Sequence, residues 1–184
     1  RREVSILFAD IRGFTRLSQG LAPEEIIALL NQYFTPVIDV IIEKEGVLDK
    51  FIGDGFLAFW NAPLPQEDHA FKACQAALGI KKVLAGINLE RENKGQIPIR
   101  VGIGIHTGTA IAGNVGSSRR MEYTIIGESV NFAERIQEAA SGGVILVSER
   151  TRQLVGQKLP FIPRKLKIED YGEEIEVYEL SQSQ

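Results

Sequence analysis

What most constrains this chain is the order in which two hydrophobic periods alternate along it. A short apolar run, Val4 to Ala9, has the length of a buried strand and ends at Asp10-Ile11-Arg12-Gly13-Phe14-Thr15. From Pro23 the period becomes helical, with apolar residues at Ile26, Ile27, Leu30, Phe34, Val37, Ile38 and Ile41. Pro23 suits a first helical position, Glu24 and Glu25 suit the positive end of the helix dipole, and Gly46 stops the run. Two short apolar runs, Val47 to Ile52 and Phe56 to Trp60, flank Gly53-Asp54-Gly55, a hairpin signal. A second helix is expected from about Glu67 to Asn93, then a loop. Ile99 to Ile105 reads as a strand, and Ala110 to Val115 as its continuation after a turn.

The order β-α-β-β-α-β predicts an α+β fold built on the split-βαβ, ferredoxin-like plan. That plan implies a largely antiparallel sheet with its helices on one face. C-terminal αβ additions follow: a strand at Tyr123 to Ile126, a helix at Glu128 to Ala140, a strand at Val144 to Val147 and a short helix after Ser148. Strand-like runs at Phe161 to Ile168 and Ile175 to Leu180 close the pattern. No linker or repeat interrupts it, so residues 1–184 are expected to form one domain with a tail at 181–184. The sequence opens on Arg1 and its one methionine is Met121, so the domain is expected to be part of a larger protein with regulatory domains elsewhere.

Composition removes several function classes. Lys plus Arg is 21 against 24 for Asp plus Glu, a net charge of −3, so binding of nucleic acid through bulk positive charge is excluded. A single cysteine, Cys74, excludes internal disulfides and CxxC zinc sites and fits a reducing compartment. No apolar run reads as a membrane span, which predicts a cytoplasmic domain without direct membrane contact, whatever anchors the parent protein. P-loop, HExxH, GxSxG and dinucleotide-binding motifs are all missing. Of the two histidines, His69 is expected on a solvated helix start, and His106 in a structural, hydrogen-bonding role at a strand end.

The carboxylates carry more information. Asp10 ends a buried strand, where a charge is costly without a partner. Asp54 lies at a hairpin tip. In the predicted topology the first strand lies beside the third, so the two acids converge. Paired carboxylates beside a glycine-containing loop and a helix start suit Mg²⁺ and phosphate. Backbone N–H groups of Arg12, Gly13, Phe14 and Thr15 are placed to cradle a polyphosphate. Each acid alone also has a structural reading, since Asp-Gly is a turn dipeptide and Asp10 is placed to cap the next helix. Asn131 and Arg135 stand at i and i+4 on one helix face, which alone also fits a polar solvent-facing surface. Arg100 is a weaker candidate phosphate ligand, on the same strand face as His106.

Four stretches together resemble the catalytic domain of class III nucleotidyl cyclases, the adenylyl and guanylyl cyclase family. They are FADIRGFT (Phe8 to Thr15), LDKFIGDG (Leu48 to Gly55), GIHTG (Gly104 to Gly108) and YTIIGESVNFAERI (Tyr123 to Ile136). The resemblance implies that Asp10 and Asp54, with the Ile11 carbonyl, hold two Mg²⁺ or Mn²⁺ ions. It implies that Lys50 and Thr124 read the purine, Asn131 orients the ribose and Arg135 stabilises the reacting phosphate. It further implies sites shared across a homodimer, the two acids coming from one subunit and the other four residues from its partner.

Lysine offers donors only, which suits N1 of adenine and opposes the N–H of guanine, so ATP is the expected substrate. Thr124 is less decisive, because a hydroxyl donates or accepts; it marks a mainly bacterial subgroup. The alternatives are a guanylyl cyclase, a degenerate nucleotide-binding or dimerisation domain with a regulatory role, and an unrelated Mg²⁺-dependent phosphohydrolase. One departure stands out. The family's C-terminal triphosphate-binding lysine aligns with Glu169 or Asp170, so either Lys167 (or Lys165) substitutes or the contact is lost.

Overall fold

The structure is a computed structural model. It describes residues 1–181, and of Glu169 only the backbone; the rest of the expected tail, 182–184, lies outside the described residues. The strands are β1 (Arg2–Ile11), β2 (Val47–Ile52), β3 (Gly55–Trp60), β4 (Val101–Ser117), β5 (Arg120–Ile126), β6 (Ile145–Ser148), β7 (Phe161–Lys167) and β8 (Glu174–Leu180). The helices are α1 (Phe14–Ser18), α2 (Pro23–Glu43), α3 (His69–Asn93), α4 (Glu128–Ala139) and α5 (Glu149–Val155). The sheet runs β2-β3-β1-β4-β6-β8-β7, with β5 paired to β4 outside that path. All its pairings are antiparallel except β4 with β6, as expected for the ferredoxin-like core with additions.

One departure from the sequence reading matters. β4 is one continuous strand, without the turn expected between residues 105 and 110. Its first half pairs with β1 and its second half extends beyond the sheet edge to pair with β5. The two helices of the six-element core share one face, as expected, and the added α4 lies on the other. Helices α2 and α3 bury Leu29, Tyr33, Val37, Ile41, Ala73, Ala77 and Ile80 against one side of the sheet. Helix α4 covers the opposite side with Ala133 and Ile136, over residues such as Ile6, Leu57 and Leu146. By length and composition α2 is apolar enough to cross a membrane, contrary to the sequence reading; its buried stripe is that of a helix packed on a core.

Helix α4 sits close because β4 has glycine beneath it. A Cβ on Gly104 would stand 2.6 Å from the Cα of Gln137. Gly104→Ala is therefore expected to cost about 1–3 kcal/mol, the usual range for overpacking a tight contact. Thermal unfolding should show a midpoint several degrees lower; an unchanged midpoint would show that α4 is free to shift.

β2 carries one irregularity. Leu48 pairs with Ala58 and Lys50 with Leu57, leaving Asp49 as the extra residue of a bulge. The bulge resets the inward-outward alternation. Lys50 is thereby placed opposite Leu57, a residue of the α4-side core.

Candidate active site

Asp10 is the last polar residue before β1 ends, and its Cα pairs with Gly55, next to Asp54 at the hairpin tip. Gly53 holds φ at 60°, which the turn needs and glycine adopts freely. Gly55 permits the close approach: a Cβ there would run into the Ala9 carbonyl and stand 3.1 Å from Asp10 Oδ1. Burial, followed by the nearby Asp54 carboxyl, pushes the Asp10 pKa up to about 7, against a smaller opposing effect of Arg12. Asp10 Oδ1 is buried without a hydrogen-bond partner.

This is a strained arrangement for two acids alone and a favourable one for a divalent cation between them. Among the described residues no cluster of three or more His, Cys, Asp or Glu exists. Two carboxylates plus backbone carbonyl and substrate oxygens are the donor set Mg²⁺ commonly takes. The residues present therefore fit the metal, with Asp10, Asp54 and the Ile11 carbonyl as its candidate ligands. The Tyr33 side chain, wholly buried in the α2-side core, was not singled out from sequence. Burial first, then the charges of Asp10 and Asp54, raise its pKa, so its hydroxyl stays protonated.

The phosphate cradle needs one correction. The Arg12 backbone N–H donates to the Arg100 carbonyl at 2.7 Å, and its guanidinium donates to the carbonyls of Gln137 and Ala140 at the end of α4. Arg12 is thus a strut between β1 and α4, with its backbone N–H and two of its five guanidinium N–H groups already used. Gly13, in the left-handed region at φ 67°, precedes α1, whose N-terminus has no side-chain cap. The N–H groups of Gly13, Phe14 and Thr15 remain as candidate phosphate donors. Arg100 is exposed just before β4 and lines a cleft of about 320 Å³ with Gly13, Arg16 and Gly142.

Asn131 and Arg135 face a different cleft. Glu128, Asp170 and Tyr171 line it with them, and neither Asp10 nor Asp54 does. Arg135 is held by Asp170 at 2.6 Å and by Glu138 at 3.1 Å. Tyr171 docks its turn on α4 by donating to Glu128 at 2.9 Å and packing against Phe132. Lys167 lines a second cleft on the other side of Arg135, with Glu138 and Asp170, whereas Lys165 lies 3.9 Å from Glu174 on the neighbouring strand.

Lys50 and Thr124 are brought together through a residue the sequence reading passed over. Thr124, buried on β5, donates its hydroxyl proton to Asp49 Oδ2 at 2.6 Å. The other oxygen of Asp49 lies 3.8 Å from Lys50 Nζ. An aspartate beside a lysine on a half-exposed strand carries no special signal, so nothing in the sequence pointed to it.

The histidines divide. His106 is structural, as expected: its Nδ1 is 2.7 Å from Ser148 Oγ, its ring packs edge-on to Phe132, and burial lowers its pKa to about 4. His69 is not solvated as expected. It is 6% exposed, with Nδ1 2.7 Å from Ser5 Oγ, because α3 starts on the sheet rather than in solvent.

The model of the adenylate and guanylate cyclase catalytic domain family matches residues 1–181. The chain belongs to this family. Its relatives include adenylate cyclase 1 of Rhizobium meliloti (strain 1021), 40% identical over 137 residues, covering 74% of this chain and 21% of the relative. The adenylate cyclase of Anabaena cylindrica is 36% identical over 189 residues, covering 97% of this chain and 37% of the relative. The cyclase domain thus spans well under half the length of these curated relatives. Among solved structures, the guanylyl cyclase Cya2 superposes with a TM-score of 0.92 at 34% identity, covering 97% of this chain and 91% of that one. The adenylyl cyclase CyaB from P. aeruginosa superposes at 0.93 and 30% identity, covering 99% and 95%. Cyclases of both base specificities are therefore near neighbours of this cyclase domain.

Proposed function

We propose that this cyclase domain converts ATP to 3′,5′-cyclic AMP and pyrophosphate, working as a homodimer. The observation that carries the adenine reading is the placement of Lys50 beside Thr124, with Asp49 joining them. Lysine donates, and N1 of adenine accepts. The similarity to the guanylyl cyclase Cya2 favours GTP as the second reading.

In the proposed reaction the ribose 3′-oxygen bonds to the α-phosphorus as the bond to the pyrophosphate oxygen breaks, and the hydroxyl proton leaves. Two Mg²⁺ or Mn²⁺ ions, when bound at Asp10, Asp54 and the Ile11 carbonyl, supply the acidification of that hydroxyl and neutralise the leaving phosphates. Asn131 holds the ribose, and Arg135 places fixed positive charge where the equatorial phosphate oxygens gain negative charge. Gly13, Phe14, Thr15 and Arg100 hold the terminal phosphates, and Lys167 takes the part of the C-terminal lysine. Asn131 and Arg135 face a cleft without the acid pair, which supports a site that draws the two groups from different subunits. No protein nucleophile is required, in keeping with the structural roles of His69 and His106. The proposed setting is the cytoplasm, with regulation by other domains of the parent protein.

Incubation with ATP or GTP and Mg²⁺ or Mn²⁺, followed by product identification, tests this reading. Cyclic AMP and pyrophosphate are expected, with GTP turned over at least about tenfold less efficiently. Cyclic GMP as the main product would overturn the base assignment, and linear AMP would overturn the cyclisation.

A further inference from the structure

The Thr124 hydroxyl has one proton to give, and Asp49 already takes it. Asp49 Oδ2 accepts that proton at 2.6 Å from Thr124 Oγ1, which fixes the rotor. What remains for a ligand is the lone-pair side of the threonine oxygen. The side chain of Asp49 is fully buried, and its second oxygen has no hydrogen-bond partner. Burying a carboxylate with an unsatisfied oxygen is unfavourable and calls for an explanation beyond packing. The bulge in β2 leaves Asp49 outside the strand pairing, immediately before Lys50. Asp49 therefore contacts both groups that the adenine reading assigns to the base.

We propose that Asp49 is a specificity-determining positioning residue, which makes Thr124 an obligate acceptor and so selects a 6-amino purine over a 6-oxo purine. This rests on the reading that Lys50 and Thr124 face the base. Adenine presents an acceptor at N1 and a donor at its 6-amino group. Lys50 as donor and Thr124 as acceptor match both atoms. Guanine presents the reverse at both positions, so two N–H groups and two acceptors would be forced together. Without Asp49 the threonine proton is free to turn toward the base, and half of the discrimination disappears. The ambiguity of a threonine hydroxyl, open in the sequence, is closed by a residue 75 positions away.

The test compares kcat/KM for ATP, GTP and inosine triphosphate, which is 6-oxo but lacks the 2-amino group. Wild type is measured beside Asp49→Asn, Asp49→Leu, Thr124→Val and the double variant Asp49→Asn/Thr124→Val. An asparagine amide is able to donate to Thr124, which releases the hydroxyl proton toward the base. Asp49→Asn is expected to lower the ATP/GTP and ATP/ITP ratios about tenfold or more. Asp49→Leu should lower them similarly, and the double variant should lose no more than Thr124→Val alone, because Asp49 acts through Thr124. Each ratio is taken within one preparation, so a smaller folded fraction does not alter it. Wild-type ratios in both Asp49 variants, with all substrates slowed equally, would overturn the proposal and leave the adenine reading intact. A wild-type preference for GTP would overturn both.

Discussion

Asp10→Asn is expected to abolish cyclisation while making the metal-free protein more resistant to heat. The loss should be about a thousandfold or more in kcat, since a metal held there would contribute several kcal/mol that depend on this ligand. The gain follows from the same geometry. Asp10 is pressed against Asp54 with one oxygen buried and unpartnered, so its negative charge burdens the folded state. Its folded pKa of about 7 lies above the ordinary 3.8, so the folded chain holds this proton more tightly than the unfolded chain does. That stabilisation is fully present below the ordinary value and is lost as pH rises through about 7. The thermal midpoint of Asp10→Asn should therefore pull ahead of wild type between those two pH values and stay ahead above them. Adding Mn²⁺ should reverse the order, raising the wild-type midpoint by mass action and leaving the variant unmoved. Equal stabilisation of both proteins by Mn²⁺ would remove Asp10 from the metal site.

Arg135→Ala should lower kcat by about 10²–10³-fold with a smaller change in KM, the signature of a contact made in the transition state. In the single chain Arg135 is half-exposed and held by Asp170 and Glu138 on its own subunit, in a cleft without the acid pair. Mixing the inactive Arg135→Ala and Asp10→Asn proteins tests the shared site. Random exchange makes half of all dimers mixed, and each mixed dimer has one intact site of two. About a quarter of wild-type turnover per chain should return. No recovery over the full mixing range, with exchange verified by mass, would show that each chain completes its own site.

Much of this was legible in the sequence because it is local or follows directly from topology. Pro23, Gly46 and the Gly53-Asp54-Gly55 tip bracket their elements, and the two periods assign them. Once the β-α-β-β-α-β order is accepted, β1 must lie beside β3, and the convergence of Asp10 with Asp54 follows. The face covered by α4 was not legible: β1 and the start of β4 are buried on both sides, so their apolar runs do not say which helix covers which. The burial of His69 was hidden for a similar reason, since its partner Ser5 is 64 residues away.

The sequence by itself determined most of the elements, which acids meet and which residue types are offered to metal, phosphate and base. Only the tertiary structure decided what each polar group has left to offer. The Arg12 backbone N–H looked like a phosphate donor until the Arg100 carbonyl, 88 residues distant, took it. Thr124 looked indifferent until Asp49 took its proton. Helical and strand periods are short-range and are written into neighbouring residues. The direction of a hydrogen bond depends on the partner that burial supplies, and that partner is set by the fold.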